Sequence, residues 1–278
     1  MTHAHVNGIW LNYREQGEGE PVLLVMGLGA PLQGWEPQIE AFSRRYRVLS
    51  FDNRGIGRSD KPLGPYRVAQ MVEDTRALLD HRAIESAHVV GLSMGGMVAM
   101  ELAARYPQRV RSLVLAATAA SADARMRWTI GRSAALITAA AMKASGSIQE
   151  RIEAAQEEIV RIWLPLVFSA GPGGDEEAIV RRLMSEAFAG GFPAGGAAGQ
   201  LAACFSHDAR ARLPRLCAPT LVIGGTNDAI FSSRRFEELA QEVDGASLEL
   251  FDGAPHCLNL TLSDQFNDRI LRFLEKRV

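Results

Sequence analysis

The chain has 278 residues, 47% of them hydrophobic and 22% charged, with a formal net charge of −2. That length and apolar share suffice for one large α/β domain or two small ones around a substantial core. The near-neutral charge gives no electrostatic case for a nucleic-acid partner or an anionic membrane surface, and no apolar stretch reaches the ~18 residues of a membrane span.

Met1 to Val6 has no basic region followed by an apolar run, so no signal peptide is expected. His3-x-His5 reads as part of a frayed terminus rather than a metal site. The three cysteines, Cys204, Cys217 and Cys257, are scattered and odd in number, which fits a reducing cytoplasm. No metal spacing links them to histidines.

Ile9 to Gln16 alternates and predicts a strand. Gly17 to Glu20 is a turn. Pro21 to Met26 is a continuous apolar run, the pattern of a strand buried on both faces. It ends at Gly27-Leu28-Gly29, before a helix around 34–43. Arg47 to Phe51 is the next strand, followed by Asp52-Asn53-Arg54-Gly55-Ile56-Gly57-Arg58-Ser59-Asp60. Val68 to Leu79 predicts an amphipathic helix. Ala87 to Val90 is a strand, Met97 to Tyr106 a helix apolar all round, and Val110 to Ala116 another strand. Strand and helix alternate, which implies a mostly parallel, doubly wound sheet. From 121 to 206 no buried strand is predicted. Helices are expected near 126–144, 148–164 and 176–188, with Gly171 to Gly174 and Gly190 to Gly196 as flexible joints. Alternation resumes with a strand at 220–224, a helix at 232–242, a strand at 247–251 and a last helix from 263. The expected organisation is therefore a core of 1–120 and 207–278 with a helical cap of 121–206.

Gly91-Leu92-Ser93-Met94-Gly95-Gly96 lies between a strand and a helix, the setting a nucleophile elbow needs. A serine hydroxyl needs a base and a group to orient that base. His256 follows the strand ending at Phe251, and so lies at the same sheet edge as Ser93; His207 is the alternative, while structural roles suffice for His81 and His88. In the chain order Ser…Asp/Glu…His, Asp228 follows the strand ending at Gly224. Asp208 precedes that strand and belongs at the opposite edge, and Asp252 lies only four residues before His256. The oxyanion donors are expected to be the backbone N–H groups of Met94 and Leu28. Gly27-x-Gly29 and Gly55-x-Gly57 lack the third glycine of a dinucleotide fingerprint, so no cofactor is expected.

With these residues the chain resembles the α/β-hydrolase superfamily along essentially its whole length. Pro65 to Ala116, His256-Cys257-Leu258-Asn259 and Phe266-Asn267 are similar to the carboxylesterase and β-ketoadipate enol-lactonase-like branch. One departure is Met26, where many members carry a histidine whose side chain can brace the oxyanion loop. Ser93, in place of an elbow aspartate, argues against the epoxide hydrolases and haloalkane dehalogenases of the fold. The resemblance implies a serine hydrolase acting on a small ester or lactone. Trp128, Trp163, Phe168, Phe188 and Phe192 are candidate pocket walls in the cap. Carbon–carbon bond hydrolysis, thioester hydrolysis or perhydrolysis would use the same triad; a non-catalytic receptor is the other class. The oligomeric state, monomer or homodimer, is left open.

Overall fold

The computed structural model describes residues 2–144, 146–171, 173–190 and 194–276. Eight strands form one sheet: β1 (Thr2–Val6), β2 (Ile9–Gln16), β3 (Glu20–Val25), β4 (Tyr46–Phe51), β5 (Ala87–Leu92), β6 (Val110–Ala116), β7 (Thr220–Gly225) and β8 (Ser247–Phe251). Their order is β1-β2-β4-β3-β5-β6-β7-β8. β1 with β2 and β2 with β4 are antiparallel, and every other pair is parallel. The expected doubly wound sheet is thus present, with an antiparallel hairpin at one edge. That hairpin corrects one expectation: Thr2–Val6 is a paired strand, not a frayed end, and His5 packs on Trp10 at 5.0 Å.

The central strands are apolar without alternation because both faces are covered. Val22, Leu24, Val90, Val114 and Ile223 point to the layer of α1 (Glu36–Phe42) and α10 (Ser263–Glu275). Leu23, Val25, Val89, Leu113 and Val222 point to the layer of α2 (Val68–His81), α3 (Met94–Arg105) and α8 (Ser233–Glu242). β4 and β5 lie on opposite sides of β3, so the loops after β3 and β5 diverge. That divergence opens the crevice where parallel sheets bind ligands.

Between β6 and β7 the chain runs through α4 (Ala124–Lys143), α5 (Ile148–Val167), α6 (Asp175–Phe188) and α7 (Ala194–Ser206). Asp123 caps α4 by accepting from Met126 N at 2.8 Å, and Ser147 with Glu150 forms a capping box on α5. The ends of the segment meet: Ser121 bridges to Asp208, and Ala209 N–H donates to Ala120 O at 2.7 Å.

α7 begins within the expected flexible joint of 190–196, of which 191–193 lie outside the described residues. Its glycines form a packing face rather than a hinge. A Cβ on Gly196 would lie 2.0 Å from Gly55 O, and one on Gly199 would lie 2.7 Å from the Tyr66 ring. Helical glycine costs about 1 kcal/mol each, and here it allows backbone to rest directly on backbone. α9 (Leu258–Thr261) is a single turn leading into α10. No helix among the described residues is long and apolar enough to cross a membrane.

Candidate active site

Ser93 sits between β5 and α3 with φ 54° and ψ −119°, a conformation that strains a residue with a side chain by ~1–3 kcal/mol. Its neighbours hold it there. Ser93 N–H donates to Ala116 O at 2.9 Å, and Thr118 Oγ1 donates to Ser93 O at 2.8 Å. The glycines are sterically required. A Cβ on Gly91 would lie 2.4 Å from Gly95 O, and one on Gly95 would lie 1.9 Å from Val25 O. The start of α3 is thereby pressed against the end of β3, beside the loop that follows it.

Asp228 follows β7, and its side chain is fully buried. Its Oδ1 accepts from Ile230 N at 2.7 Å and Phe231 N at 2.9 Å, while its Oδ2 meets His256 Nδ1 at 2.7 Å. The carboxylate can only accept, so Nδ1 carries a proton; in the neutral imidazole this tautomer leaves the lone pair on Nε2. His256 follows β8 and is buried, with the Phe231 ring 5.8 Å away. A Cβ on Gly225 would lie 2.1 Å from Ala254 O, so only glycine lets the two loops approach this closely. Asp228 and His256 are thus hydrogen-bonded, at the same sheet edge as Ser93. No hydrogen bond joins Ser93 Oγ to His256 among the described residues.

The loop after β3 runs beside Ser93: a Cβ on Gly27 would lie 3.2 Å from Ser93 Cβ. Among the described residues, no protein acceptor takes the N–H of Leu28 or of Met94, the first residue of α3. Both donors are available to a ligand oxygen. Met26 is buried, with its methyl against Gly34, and its carbonyl accepts from Asn53 Nδ2 at 2.9 Å. At the other end of the loop, Gly29 N–H donates to Gln200 Oε1 at 2.8 Å. Gln200 escaped the sequence reading; its signal was a lone polar side chain in the apolar run of α7.

The alternatives lie elsewhere. His207 is buried against α3, with Nδ1 3.8 Å from Glu101 Oε1, and burial pushes it down to about 4. His88 is held by Ser112 and Glu20, and His81 is exposed at the end of α2. Asp208 pairs with Arg210, which holds it at about 2. Asp252 is exposed and accepts from Thr226 Oγ1.

The candidate pocket walls divide. Trp128 is 65% exposed, with Arg132 stacked on its ring, so it faces solvent and walls no pocket. Phe168 is buried at the end of α5, and Trp163 packs on the same core. Phe188 is half-buried at the end of α6, and Phe192 lies outside the described residues. Cys257 N–H donates to Val167 O at 2.8 Å, which ties α5 to the loop that carries His256. Burial pushes the Cys257 thiol up to about 12, with the Asp228 charge adding to it.

Residues 20–261 match the alpha/beta hydrolase fold family. The 3-oxoadipate enol-lactonase 2 of Acinetobacter baylyi is 31% identical over 94% of this chain and 91% of its own. RutD of Azorhizobium caulinodans, provisionally named a carbamate hydrolase, is 30% identical over 98% of both chains. Among solved structures, the enol-lactonase of Burkholderia xenovorans superposes with a TM-score of 0.82 at 31% identity, covering 99% of this chain and 100% of that one.

Proposed function

The chain belongs to the α/β-hydrolase fold family, and within it we propose a serine hydrolase that cleaves a carboxylic ester or lactone of a small molecule. The observation that carries this reading is the buried Asp228–His256 pair at 2.7 Å, on the same sheet edge as a serine held at φ 54°. Ser93 Oγ attacks the substrate carbonyl while His256 Nε2 takes its proton. Asp228, already saturated by two backbone N–H groups and Nδ1–H, stabilises the imidazolium without accepting a proton. The N–H groups of Leu28 and Met94 receive the oxyanion. Collapse breaks the bond to the leaving alkoxide, which takes the proton from His256. In a lactone the alkoxide stays attached, and the product is a hydroxy acid. Water then repeats the sequence on the acyl-enzyme. Side chains, substrate and water supply every proton and electron pair, so the scheme calls on no cofactor.

The similarity to RutD favours one second reading, a carbamate substrate, whose carbonyl meets the same nucleophile. A panel of p-nitrophenyl esters from acetate to decanoate, lactones and N-substituted carbamates separates the two. Ser93→Ala should lower kcat by ~10⁴–10⁶ and abolish fluorophosphonate labelling while leaving the fold intact. Turnover near wild type in that variant would refute the assignment.

A further inference from the structure

We infer that Gln200, a side chain of the cap, is a positioning residue for the oxyanion loop. The inference rests on the reading that Leu28 N–H receives the oxyanion. Gln200 is 0% exposed on α7. A buried amide in an apolar helix face is costly unless both ends are bonded. Here both are, and neither partner is in its own helix. Oε1 accepts Gly29 N–H at 2.8 Å, and Nε2 donates to Arg54 O at 2.8 Å. One amide thus ties the loop after β3 to the loop after β4.

The need for it follows from Met26. A thioether there fills the space beside Gly34 but offers the loop no hydrogen-bond donor. Side-chain amides instead pin the loop on either side of Leu28: Asn53 holds the carbonyl of Met26, and Gln200 holds the N–H of Gly29, while a long bond from Ala30 N–H to Gly27 O at 3.4 Å closes the turn. Leu28 N–H lies between them. The glycine face of α7 explains the reach. Gly196 against Gly55 and Gly199 against Tyr66 bring the helix backbone close enough for a side chain of this length to reach Gly29. Without the acceptor, only the long Ala30 N–H to Gly27 O bond still restrains the Leu28–Gly29 peptide, and the neighbouring Leu28 N–H is less firmly aimed.

The test measures kcat and KM for p-nitrophenyl butyrate in wild type, Gln200→Met and Gln200→Glu, with thermal melts of each. Gln200→Met, which keeps length and burial, should lose ~10- to 10²-fold in kcat with KM nearly unchanged, the signature of a displaced transition-state donor. Gln200→Glu supplies the same acceptor and donor while its carboxyl is protonated, as burial favours. Its rate relative to wild type should therefore approach one at low pH; as pH rises the ionised carboxylate still accepts from Gly29 but loses the donor to Arg54 O and repels that carbonyl, so the bridge between the two loops opens and the ratio falls. A purely structural role would lower the melting temperature of both variants and give no such pH-dependent ratio. Ser93-dependent turnover with a wild-type kcat in Gln200→Met overturns the inference alone, as does a kcat loss that Gln200→Glu does not recover at any pH. Absence of Ser93-dependent turnover and labelling in wild type overturns the functional reading, and the inference with it.

Discussion

His207 should impose an acid limit on stability while playing no part in turnover. Its side chain is buried beside α3, Nε2 has no partner among the described residues, and Nδ1 lies 3.8 Å from Glu101. Burial is the main force against its charged form, and Arg212 adds to it. Glu101 and Asp208 oppose, but Glu101 is already engaged by Arg105 and Arg212. The folded state therefore binds this proton less readily than the unfolded chain. Stability is fully present above the ordinary value of about 6.5 and is lost as pH falls toward the folded value of about 4. Across that window linkage makes the loss on the order of 3 kcal/mol. His207→Leu removes the titration. Urea unfolding of both proteins at about pH 8 and about pH 4 isolates it together with its coupling to Glu101 and Asp208, because groups that do not interact with His207 cancel in the double difference. Wild type should lose about 3 kcal/mol more than the variant on acidification, and the proposed Ser93-dependent turnover should be the same in both proteins. Parallel losses in the two proteins would refute the reasoning.

Two further outcomes can be checked directly. Asp228→Asn preserves the shape of the carboxylate, but its amide can donate to Nδ1 and so favours the wrong tautomer of His256; kcat should fall ~10⁴-fold, and a loss under tenfold would remove Asp228 from the proposed triad. Cys217 is exposed, whereas the thiols of Cys204 and Cys257 are pushed up to about 12 by burial. Native protein treated with N-ethylmaleimide at neutral pH should therefore take a single adduct, on Cys217, as read by intact mass. A second rapid adduct would contradict the burial argument.

The sheet was legible because its strands carry their environment in their composition. Pro21–Met26 and Thr220–Gly224 are short runs without apolar–polar alternation that end at glycines, the pattern of a strand covered on both faces. Ser93, Asp228 and His256 were legible as candidates because each follows a strand end, so topology alone brings them to one edge. Three features were hidden for separate reasons. The glycines of α7 have the composition of a joint, and only the Gly55 backbone and the Tyr66 ring opposite them explain a helix there. Trp128 has the right residue type for a pocket wall, but periodicity does not say which side of α4 meets water. Gln200 finds its partners 171 and 146 positions away, a separation that no local pattern encodes.

The long excursion between β6 and β7 also orders the assembly of the molecule in time. Their register begins at Leu113 with Thr220, so the pair closes a loop of roughly a hundred residues. The entropy of that closure is about 4 kcal/mol, to be met before the first β7 hydrogen bond offsets any of it. Strands β1 to β6 pair among themselves across shorter separations. They can form while the helical segment between β6 and β7 is still being synthesised, and β7 and β8 dock afterwards. Ser93 belongs to the early part, Asp228 and His256 to the late part. A growing chain thus carries the proposed nucleophile without its base, and the site becomes reactive only when the last two strands complete the sheet.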